Sequence, residues 1–384
     1  MSLPPDFTVL QVTPELNSGG VEQATLDVNR ALVAAGAGSV VASEGGRLEQ
    51  RVDADGGVLV RVPVASKNPL TILANAGRLA DIARREGVDV IHVRSRAPAL
   101  SALMAARRTG LPLVSTYHGI YSARNGLKRA YNSLMTRADL VIANSGFTRD
   151  HILAEHGVDP ARVVLVPEAV DAGRFHPGAA DAGRIEAVRT AWGLTPGDDR
   201  RIVLLPGRLT GWKGQRVLIE AWAAARPPMA LILAGDDQGR TAYRAELEAM
   251  IVSNGLQDAV RIVGEVADMP AAYLAADVIC TPSLEAESFG RTAVEAQMMG
   301  RPVWASDLGA SRETVDPAVG GGLVAPGDVA AWTGTLRRIA ETPTGALRAM
   351  GQRAGERARR FYSFDAMVAA TFEVYRRAVG RAAS

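Results

Sequence analysis

Two glutamates, Glu287 and Glu295, stand eight positions apart around a Phe289-Gly290 pair. The pattern predicts a strand that ends near Thr281, a loop that delivers Glu287, and a helix that opens at Gly290 and carries Glu295 in its second turn. The first N–H groups of a helix can bind a phosphate oxygen, and a carboxylate can accept hydrogen bonds from two adjacent hydroxyls. The spacing therefore suits a sugar nucleotide.

The same two glutamates have a plainer interpretation, in which both are solvated residues favoured by the dipole at a helix start. For an isolated pair of glutamates that interpretation is the better one. The frame around this pair favours a binding site instead, because it combines Phe-Gly, Glu-Ala and Gly-x-Pro-Val, and because Gly300 ends the helix and Pro302 stops its continuation.

The elements that must position these groups are short apolar strands that alternate with amphipathic helices, a pattern typical of βαβ units and a mainly parallel sheet. In the first half, strands are predicted at 9–13, 39–42, 58–62, 88–93, 113–116, 140–143 and 163–166, with helices at 21–35, 70–86, 98–109, 125–138 and 148–156. In the second half, strands are predicted at 201–205, 230–234, 260–263, 278–281 and 303–305, with helices at 214–225, 243–253, 271–275, 292–299 and 329–340.

A stretch rich in glycine and proline separates the two series. We therefore predict an N-terminal domain at 1–172, a linker at 173–199 that could hold a short helix at 185–192, a C-terminal domain at 200–362 and a terminal helix at 363–384. Each half is long enough for its own doubly wound α/β domain, and ligands of such folds bind outside the carboxyl ends of the strands.

Composition excludes several classes of function. The 43 Lys and Arg residues against 41 Asp and Glu residues give a net charge of +2, so no global electrostatic field, such as nucleic-acid binding would need, is present. The single cysteine, Cys280, excludes an intramolecular disulfide and a cysteine-based zinc cluster. The N-terminus has neither a basic stretch nor an apolar segment, so a cytoplasmic protein is expected.

Taken together, the motifs resemble those of the retaining glycosyltransferases of family 4. The Glu287-x7-Glu295 spacing with its internal Phe289-Gly290 matches the signature of that family. The other matching motifs are Ser18-Gly-Gly20-Val-Glu22, Thr116-Tyr-His118-Gly, Pro206-Gly-Arg208-Leu-Thr-Gly-Trp-Lys213-Gly-Gln, and Gly264-Glu-Val-Ala-Asp268 with Tyr273-Leu-Ala-Ala-Asp277-Val. The resemblance covers nearly the whole chain. It implies the GT-B fold, in which two Rossmann-like domains face a central cleft and a C-terminal helix packs back on the N-terminal domain.

The resemblance also implies a role for each matching side chain. Arg208 and Lys213 would hold the donor diphosphate, which agrees with their place in a glycine-punctuated loop after a strand, although isolated cations are more often ordinary surface charges. Glu295 would bind the ribose hydroxyls and Glu287 the hydroxyls of the donor sugar. His118 would lie near the transferred sugar, although a single histidine after a strand is more often structural. The implied donor-binding set is completed by Gly20, Gly264, Glu265, Phe289, Gly290, Arg291 and Thr292.

One segment departs from the pattern of the family. Where members usually have Pro-Asn-Gly-Val-Asp, this chain has Pro167-Glu168-Ala169-Val170-Asp171. Because alanine does not easily replace a glycine at positive φ, we expect a different turn here.

The implied reaction moves a sugar from a nucleotide-diphosphate sugar to a hydroxyl of a glycan or glycolipid, with retained configuration, most commonly in lipopolysaccharide or exopolysaccharide synthesis. No metal or other cofactor is expected, because Asp53-Ala-Asp55 precedes a glycine turn and Asp236-Asp237 is typical of a helix cap. Two alternatives stay open: a sugar-nucleotide epimerase of the same fold, and a sugar-nucleotide-binding protein without catalysis. A nicotinamide oxidoreductase is disfavoured, since no Gly-x-Gly-x-x-Gly follows the first strand.

The segment 94–138 carries a local charge of +8 and no acidic residue. Its cations are Arg94, Arg96, Arg107, Arg108, Arg124, Lys128, Arg129 and Arg137. The predicted helix at 125–138 has the apolar residues Leu127, Tyr131, Leu134 and Met135 beside two of these cations. The pattern predicts peripheral contact with an anionic membrane, unless the helix packs into the core and its cations are merely solvated.

Overall fold

The computed structural model describes residues 3–4, 6–17, 19–121, 125–195 and 197–382. Ser18, Arg124 and the side chain of Leu127, to which predictions above refer, lie outside the described residues. The chain divides into two compact units: Met1–Glu168 with Asp365–Ser384, and Ala169–Phe364.

The first unit is built on a parallel seven-stranded sheet of order β3-β2-β1-β4-β5-β6-β7. Its strands are β1 (Thr8–Val12), β2 (Gly38–Ser43), β3 (Val58–Arg61), β4 (Val90–Val93), β5 (Leu113–Tyr117), β6 (Leu140–Ala143) and β7 (Val163–Leu165). The helices before the unit boundary are α1 (Gly20–Ala34), α2 (Gln50–Ala54), α3 (Pro69–Arg85), α4 (Arg96–Thr109), α5 (Gly126–Asn132) and α6 (Gly146–His156).

The second unit is built on a parallel six-stranded sheet of order β10-β9-β8-β11-β12-β13. Its strands are β8 (Arg201–Pro206), β9 (Met229–Ala234), β10 (Val260–Gly264), β11 (Val278–Thr281), β12 (Val303–Ser306) and β13 (Gly321–Val324). Its helices are α7 (Ala182–Ala191), α8 (Gln215–Ala225), α9 (Thr241–Ser253), α10 (Met269–Ala275), α11 (Arg291–Met298), α12 (Ser311–Thr314), α13 (Val329–Glu341) and α14 (Thr344–Phe361). The last helix of the chain is α15 (Phe364–Ala382).

The burial of the two sheets explains why their strands could be predicted from the sequence. Parallel strands with helices on both faces are buried throughout, so they appear as nearly continuous apolar runs. In β9 all six residues are buried, and in β11 all four. Every strand predicted from the sequence is present, with ends that differ by one or two residues.

The segment predicted as a linker, 173–199, is instead part of the second unit. It contains α7, and the side chains of Phe175, Trp192 and Leu194 are buried in the core cluster of that unit. The boundary between the units falls after Glu168 rather than at residue 172. Glycine and proline mark turns in this segment, but the large apolar residues between them decide where it packs.

Four further elements were missed, namely the short helices α2 and α12, the strand β13 and the helix α14. β13 begins with two glycines, which usually argue against a strand. At Gly321 a Cβ would lie only 1.9 Å from the carbonyl oxygen of Val303 on the neighbouring strand, so this position needs a glycine for close strand contact. The predicted helix at 125–138 is also shorter, since α5 ends at Asn132 and a 3₁₀ turn follows at Met135–Arg137.

The turn at 167–171 does not need a residue with positive φ. Among the described residues, the non-glycine positions with positive φ are Asp6, Arg226 and Gln238, so Ala169 is not strained. The N–H of Val170 donates to the carbonyl of Tyr362 at 3.1 Å, and the chain continues into the second unit from this contact. The backbone at Ala169 is therefore one that alanine adopts without strain.

Helix α15 belongs to the first unit, as the resemblance implied. Its Tyr375 is fully buried, and the hydroxyl lies 2.7 Å from Nδ1 of the equally buried His92 on β4. Nε2 of His92 lies 2.7 Å from Oγ1 of Thr116 on β5. The terminal helix is thus fastened to the centre of the sheet by a polar contact. Among the described residues, no helix is long and apolar enough to cross a membrane.

We expect Tyr375→Phe to lower the free energy of unfolding by about 1–3 kcal/mol, because a ring nitrogen of His92 loses its partner where water cannot replace it. Chemical denaturation of the full chain, followed by circular dichroism, measures the effect. Tyr131→Phe is the matched control, since the Tyr131 side chain is exposed and its loss of a hydroxyl should cost little. Equal midpoints for the two variants would contradict this role of Tyr375.

Candidate functional site

A short ion pair in the second unit joins two of the predicted site residues. Nζ of Lys213 lies 2.9 Å from Oε1 of Glu287, and the two side chains are only 12% and 16% exposed. The hydroxyl of Ser283 donates to the same carboxylate oxygen at 2.6 Å. Lys213 closes the turn after β8, and Glu287 lies in the loop after the neighbouring strand β11. The carboxyl edge of the sheet therefore brings together residues 74 positions apart.

These two loops are held against each other by their backbones. The N–H of Leu284 donates to the carbonyl of Trp212 at 2.7 Å. At Gly214, where φ is +76°, a Cβ would lie 1.9 Å from the carbonyl oxygen of Pro282. A side chain at 214 would force the loops apart, so glycine is required. Nζ of Lys213 also lies 4.4 Å from the ring centroid of Trp212, a cation–π contact that holds the ammonium in this position.

Glu295 is oriented by two donors on the second unit. Its Oε2 accepts from the hydroxyl of Tyr273 at 2.9 Å, and its Oε1 from Nε of Arg291 at 3.1 Å. Tyr273 is fully buried, and burial followed by the charge of Glu295 raises the pKa of its phenol well above the ordinary value. The phenol therefore stays protonated and donates. The carboxylate of Glu295 keeps lone pairs free to accept from further hydroxyls.

Gly290 caps the N-terminus of α11 with a φ of +80° and no side chain to bond the first N–H groups. Phe289 lies directly before it, and its ring is 3% exposed and packs edge-to-face on Tyr362, with centroids 5.4 Å apart. The phenyl ring thus supports the loop from the core and does not itself line a surface site. Thr292 lies in the first turn of α11, and its carbonyl accepts from Tyr273 at 3.3 Å.

The remaining predicted residues of the second unit are less constrained. Arg208 is exposed, and its carbonyl accepts from the buried Gln215 at 2.9 Å. Gly264 has a φ of +73° at an irregular end of β10, and Glu265 after it is exposed. The structure thus pairs Lys213 with Glu287 and Arg291 with Glu295, and it leaves the Arg208 side chain at the surface.

Two predicted residues lie in the first unit. His118 follows β5, and both of its ring nitrogens lie below the surface. Burial and, secondly, the positive charge of Arg94 lower its pKa to about 3, so the imidazole is neutral at pH 7. Gly20 opens α1, and a Cβ there would lie 3.3 Å from Oε1 of Glu168, in the segment that departs from the family pattern.

The two halves of the chain each match a family model. One described as Glycosyltransferase Family 4 matches residues 18–174, and one described as Glycosyl transferases group 1 matches residues 200–342. A D-inositol 3-phosphate glycosyltransferase of Salinispora arenicola is 32% identical over 326 residues, which cover 78% of this chain and 71% of that protein. The chain belongs to glycosyltransferase family 4.

Solved structures agree with this membership. A glycosyltransferase from Rickettsia africae superposes with a TM-score of 0.90 at 30% identity, covering 97% of this chain and 99% of that one. Anabaena HepE in complex with UDP and glucose superposes with a TM-score of 0.84 at 24% identity, covering 96% and 98%. The predicted α/β fold of two Rossmann-like units of the GT-B type is confirmed.

In this family 4 glycosyltransferase, sequence reasoning missed a polar face on the first sheet. At the carboxyl ends of three adjacent strands, polar residues occupy alternate positions, one on the strand and one just after it. They are Gln11 and Thr13 at β1, His92 and Arg94 at β4, and Thr116 and His118 at β5. Nε of Arg94 donates to Oε1 of Gln11 at 2.8 Å, and His92 bonds Thr116. The signal was the repeated polar-x-polar pattern at the ends of three buried strands, which period-2 alternation places on one face.

The basic segment 94–138 of this glycosyltransferase is also less exposed than its sequence indicates. Arg94 is 3% exposed, and Met135 is fully buried. Cζ of Arg96 lies 4.0 Å from the ring centroid of Tyr121, and its Nη1 bonds Asn132 at 2.7 Å. Arg94 is therefore not one of the cations of this segment that could reach a membrane surface. The exposed cations of the described part of this segment are Arg107, Arg108, Lys128, Arg129 and Arg137.

Proposed function

We propose that this glycosyltransferase moves a sugar from a nucleotide-diphosphate sugar to an acceptor hydroxyl, with retention of the anomeric configuration. The observation that carries the proposal is the Lys213–Glu287 pair, in which a cation and a carboxylate meet on neighbouring loops of the second unit. HepE, which shares the fold, holds UDP and glucose.

The chemistry follows from what these side chains can do. As the bond between sugar and diphosphate breaks, negative charge develops on the leaving oxygens, and Lys213 and Arg208 would stabilise it. Glu287 would accept from hydroxyls of the donor sugar. Glu295, already oriented by Tyr273 and Arg291, would accept from the ribose hydroxyls.

For the acceptor we propose a phosphorylated polyol or sugar rather than the surface polysaccharide that the resemblance implied. The support is the name of the relative from Salinispora arenicola, D-inositol 3-phosphate glycosyltransferase, at 32% identity. A solved structure that bears a lipopolysaccharide name, WaaG, is 18% identical and shares the fold alone.

A two-stage assay tests the proposal. Thermal shift with UDP-, GDP- and ADP-sugars identifies the donor, since a ligand at 100-fold its Kd stabilises the folded protein by about 2.7 kcal/mol. The donor is then incubated with and without D-inositol 3-phosphate, and the products are examined by mass spectrometry and by the anomeric NMR coupling. We expect a retained glycoside only with acceptor present. Isomerised donor without acceptor would indicate an epimerase, donor binding without turnover a binding protein, and an inverted product would contradict retention.

We expect activity to survive exhaustive treatment with EDTA. Among the described residues, no group of three or more His, Cys, Asp or Glu is placed to hold a metal ion. Asp236 and Asp237 accept from the N–H groups of Gln238 and Gly239, so they close a turn rather than cap a helix as predicted. Cationic side chains can supply the charge stabilisation that a metal would otherwise give. A complete loss of activity that Mg²⁺ or Mn²⁺ restores would contradict this expectation.

We also propose peripheral contact between the exposed cations of 94–138 and anionic membrane. Vesicle co-sedimentation should show binding that needs anionic lipid, fades between about 50 and 500 mM salt, and weakens in the Arg107/Arg108/Lys128→Ser variant. Arg129 is left unchanged, because it lies 3.4 Å from Glu155 and is partly neutralised. Equal binding to neutral and anionic vesicles, or no binding at low salt, would mean that these residues are ordinary surface charges.

A further inference from the structure

Arg94 is a buried cation with an incomplete set of partners. It is 3% exposed, its Nε donates to Gln11 at 2.8 Å, and its Nη2 is buried with no hydrogen-bond partner among the described residues. A guanidinium carries five N–H donors, and native proteins rarely leave such a donor buried and unused. The hydroxyl oxygen of Thr13 is likewise buried and has no partner in the described part of the chain.

The two residues that carry these unpaired atoms are neighbours in the first sheet. Val12 and Val93 are paired in register between β1 and β4, and the N–H of Arg94 donates to the carbonyl of Val12 at 3.0 Å. Thr13 and Arg94 therefore leave adjacent strands side by side at the carboxyl edge of the first sheet. Ligands of doubly wound folds bind outside this edge.

In the described part of the chain, no carboxylate forms an ion pair with Arg94. The charges of Asp27 and Glu168 act on Arg94 from a distance. The carboxylate of Asp27 accepts from Gln23 at 2.7 Å, and that of Glu168 accepts from Asn144 at 3.3 Å. His118 is neutral, so Arg94 is the cation that the polar face offers to a ligand.

We propose that Arg94 and Thr13 form an oxyanion subsite in the first unit, which takes a phosphate group. Nη2 would donate to one phosphate oxygen and the threonine hydroxyl to another, as guanidinium and hydroxyl groups do in phosphate sites. The assignment of this phosphate to the acceptor substrate rests on the proposed function. The diphosphate of the donor also presents phosphate oxygens, so the test below includes UDP as a separate probe.

The test compares the full chain with Arg94→Gln and Thr13→Val by thermal shift, without turnover. The probes are inorganic phosphate, D-inositol 3-phosphate, inositol and UDP. We expect inositol 3-phosphate and, more weakly, phosphate to raise the Tm of the unaltered protein, and inositol to leave it unchanged. Arg94→Gln should weaken the apparent affinity for inositol 3-phosphate at least tenfold, and Thr13→Val several-fold. Arg85→Gln, which removes an exposed cation of α3, should bind as the unaltered protein does.

The outcomes separate binding from a structural role. If Arg94 is needed only for folding, Arg94→Gln should have a lower Tm, but phosphate should still raise that Tm as in the unaltered protein. This result would overturn the proposal. If Arg94→Gln abolishes the rise in Tm caused by UDP but keeps the rise caused by inositol 3-phosphate, the assignment of the subsite to the acceptor is overturned. If Arg94→Gln does not fold, the same measurements are made on Arg94→Lys and Thr13→Val. An unchanged affinity for inositol 3-phosphate in both variants would overturn the proposed subsite. Because no step needs transfer, a failure of the proposed reaction is seen separately, as phosphate binding without product.

Discussion

Lys213→Ala is expected to lower kcat/KM by about a hundred- to a thousand-fold, which corresponds to roughly 3–4 kcal/mol of lost transition-state stabilisation. Nζ of Lys213 is held within 2.9 Å of Glu287 and over the ring of Trp212, so its charge is fixed in place before the donor arrives. A preorganised cation of this kind stabilises a leaving diphosphate without reorganisation. Arg208→Ala should show a loss of similar size.

The matched control is Arg216→Ala, which removes an exposed cation from α8 of the same unit, paired with Glu246 at 2.9 Å. Its kcat/KM should stay within about twofold of the unaltered enzyme, as is usual for exposed ion pairs. Glu295→Ala extends the test, because it should weaken binding of the free nucleotide as well. Near-normal rates in Lys213→Ala, Arg208→Ala and Glu295→Ala would contradict the donor site.

Lys213→Ala also leaves the half-buried Glu287 with Ser283 as its nearest donor, so a loss of activity could reflect local rearrangement. The double variant Lys213→Ala/Glu287→Gln removes the uncompensated charge. If the lysine acts on the donor, the double variant should be clearly less active than Glu287→Gln alone. Equal activity of the double variant and Glu287→Gln would instead mean that Lys213 only neutralises Glu287.

Stability of the first unit is expected to fall as the pH is lowered from 7 to 5, by about 2 kcal/mol for a fully buried neutral histidine. Burial, followed by the charges of Arg94 and His118, lowers the pKa of His92 well below its ordinary value. The folded state therefore binds fewer protons than the unfolded state at acid pH. The stabilisation is complete above the unfolded pKa near 6.5 and is lost as the pH falls below it. His118, with a pKa of about 3, acts in the same direction.

Chemical denaturation midpoints at half-unit steps between pH 8 and 5 measure this dependence, above the range in which most carboxylates titrate. His92→Gln is the informative variant, since an amide can bond Thr116 and Tyr375 but does not titrate. Its curve should be flatter than that of the unaltered protein, and the difference between the two isolates His92. Parallel curves would show that His92 is protonated equally in the folded and unfolded states.

The sequence by itself determined the strands, because a strand buried on both faces must be apolar along its whole length. It also determined the Glu287-x7-Glu295 frame, with a helix that begins after Gly290 and ends before Gly300. The strand missed in the second unit, β13, shows the limit of that reasoning. Its two glycines are there because of a close contact with β12, and a contact with a distant segment leaves no local pattern.

Only the tertiary structure decided which charges pair and which are buried. Lys213 and Glu287 meet because β8 and β11 are neighbours in the sheet, although they are far apart in the chain. The same is true of Arg94, which looked like one of eight solvated cations and lies instead beneath the surface beside Gln11 and Thr13. Burial of a charge depends on the elements packed around it. Sheet order and the packing of α15 on the first unit also arise from long-range contacts. The family resemblance implied the position of α15, whereas the local residue pattern does not reveal it.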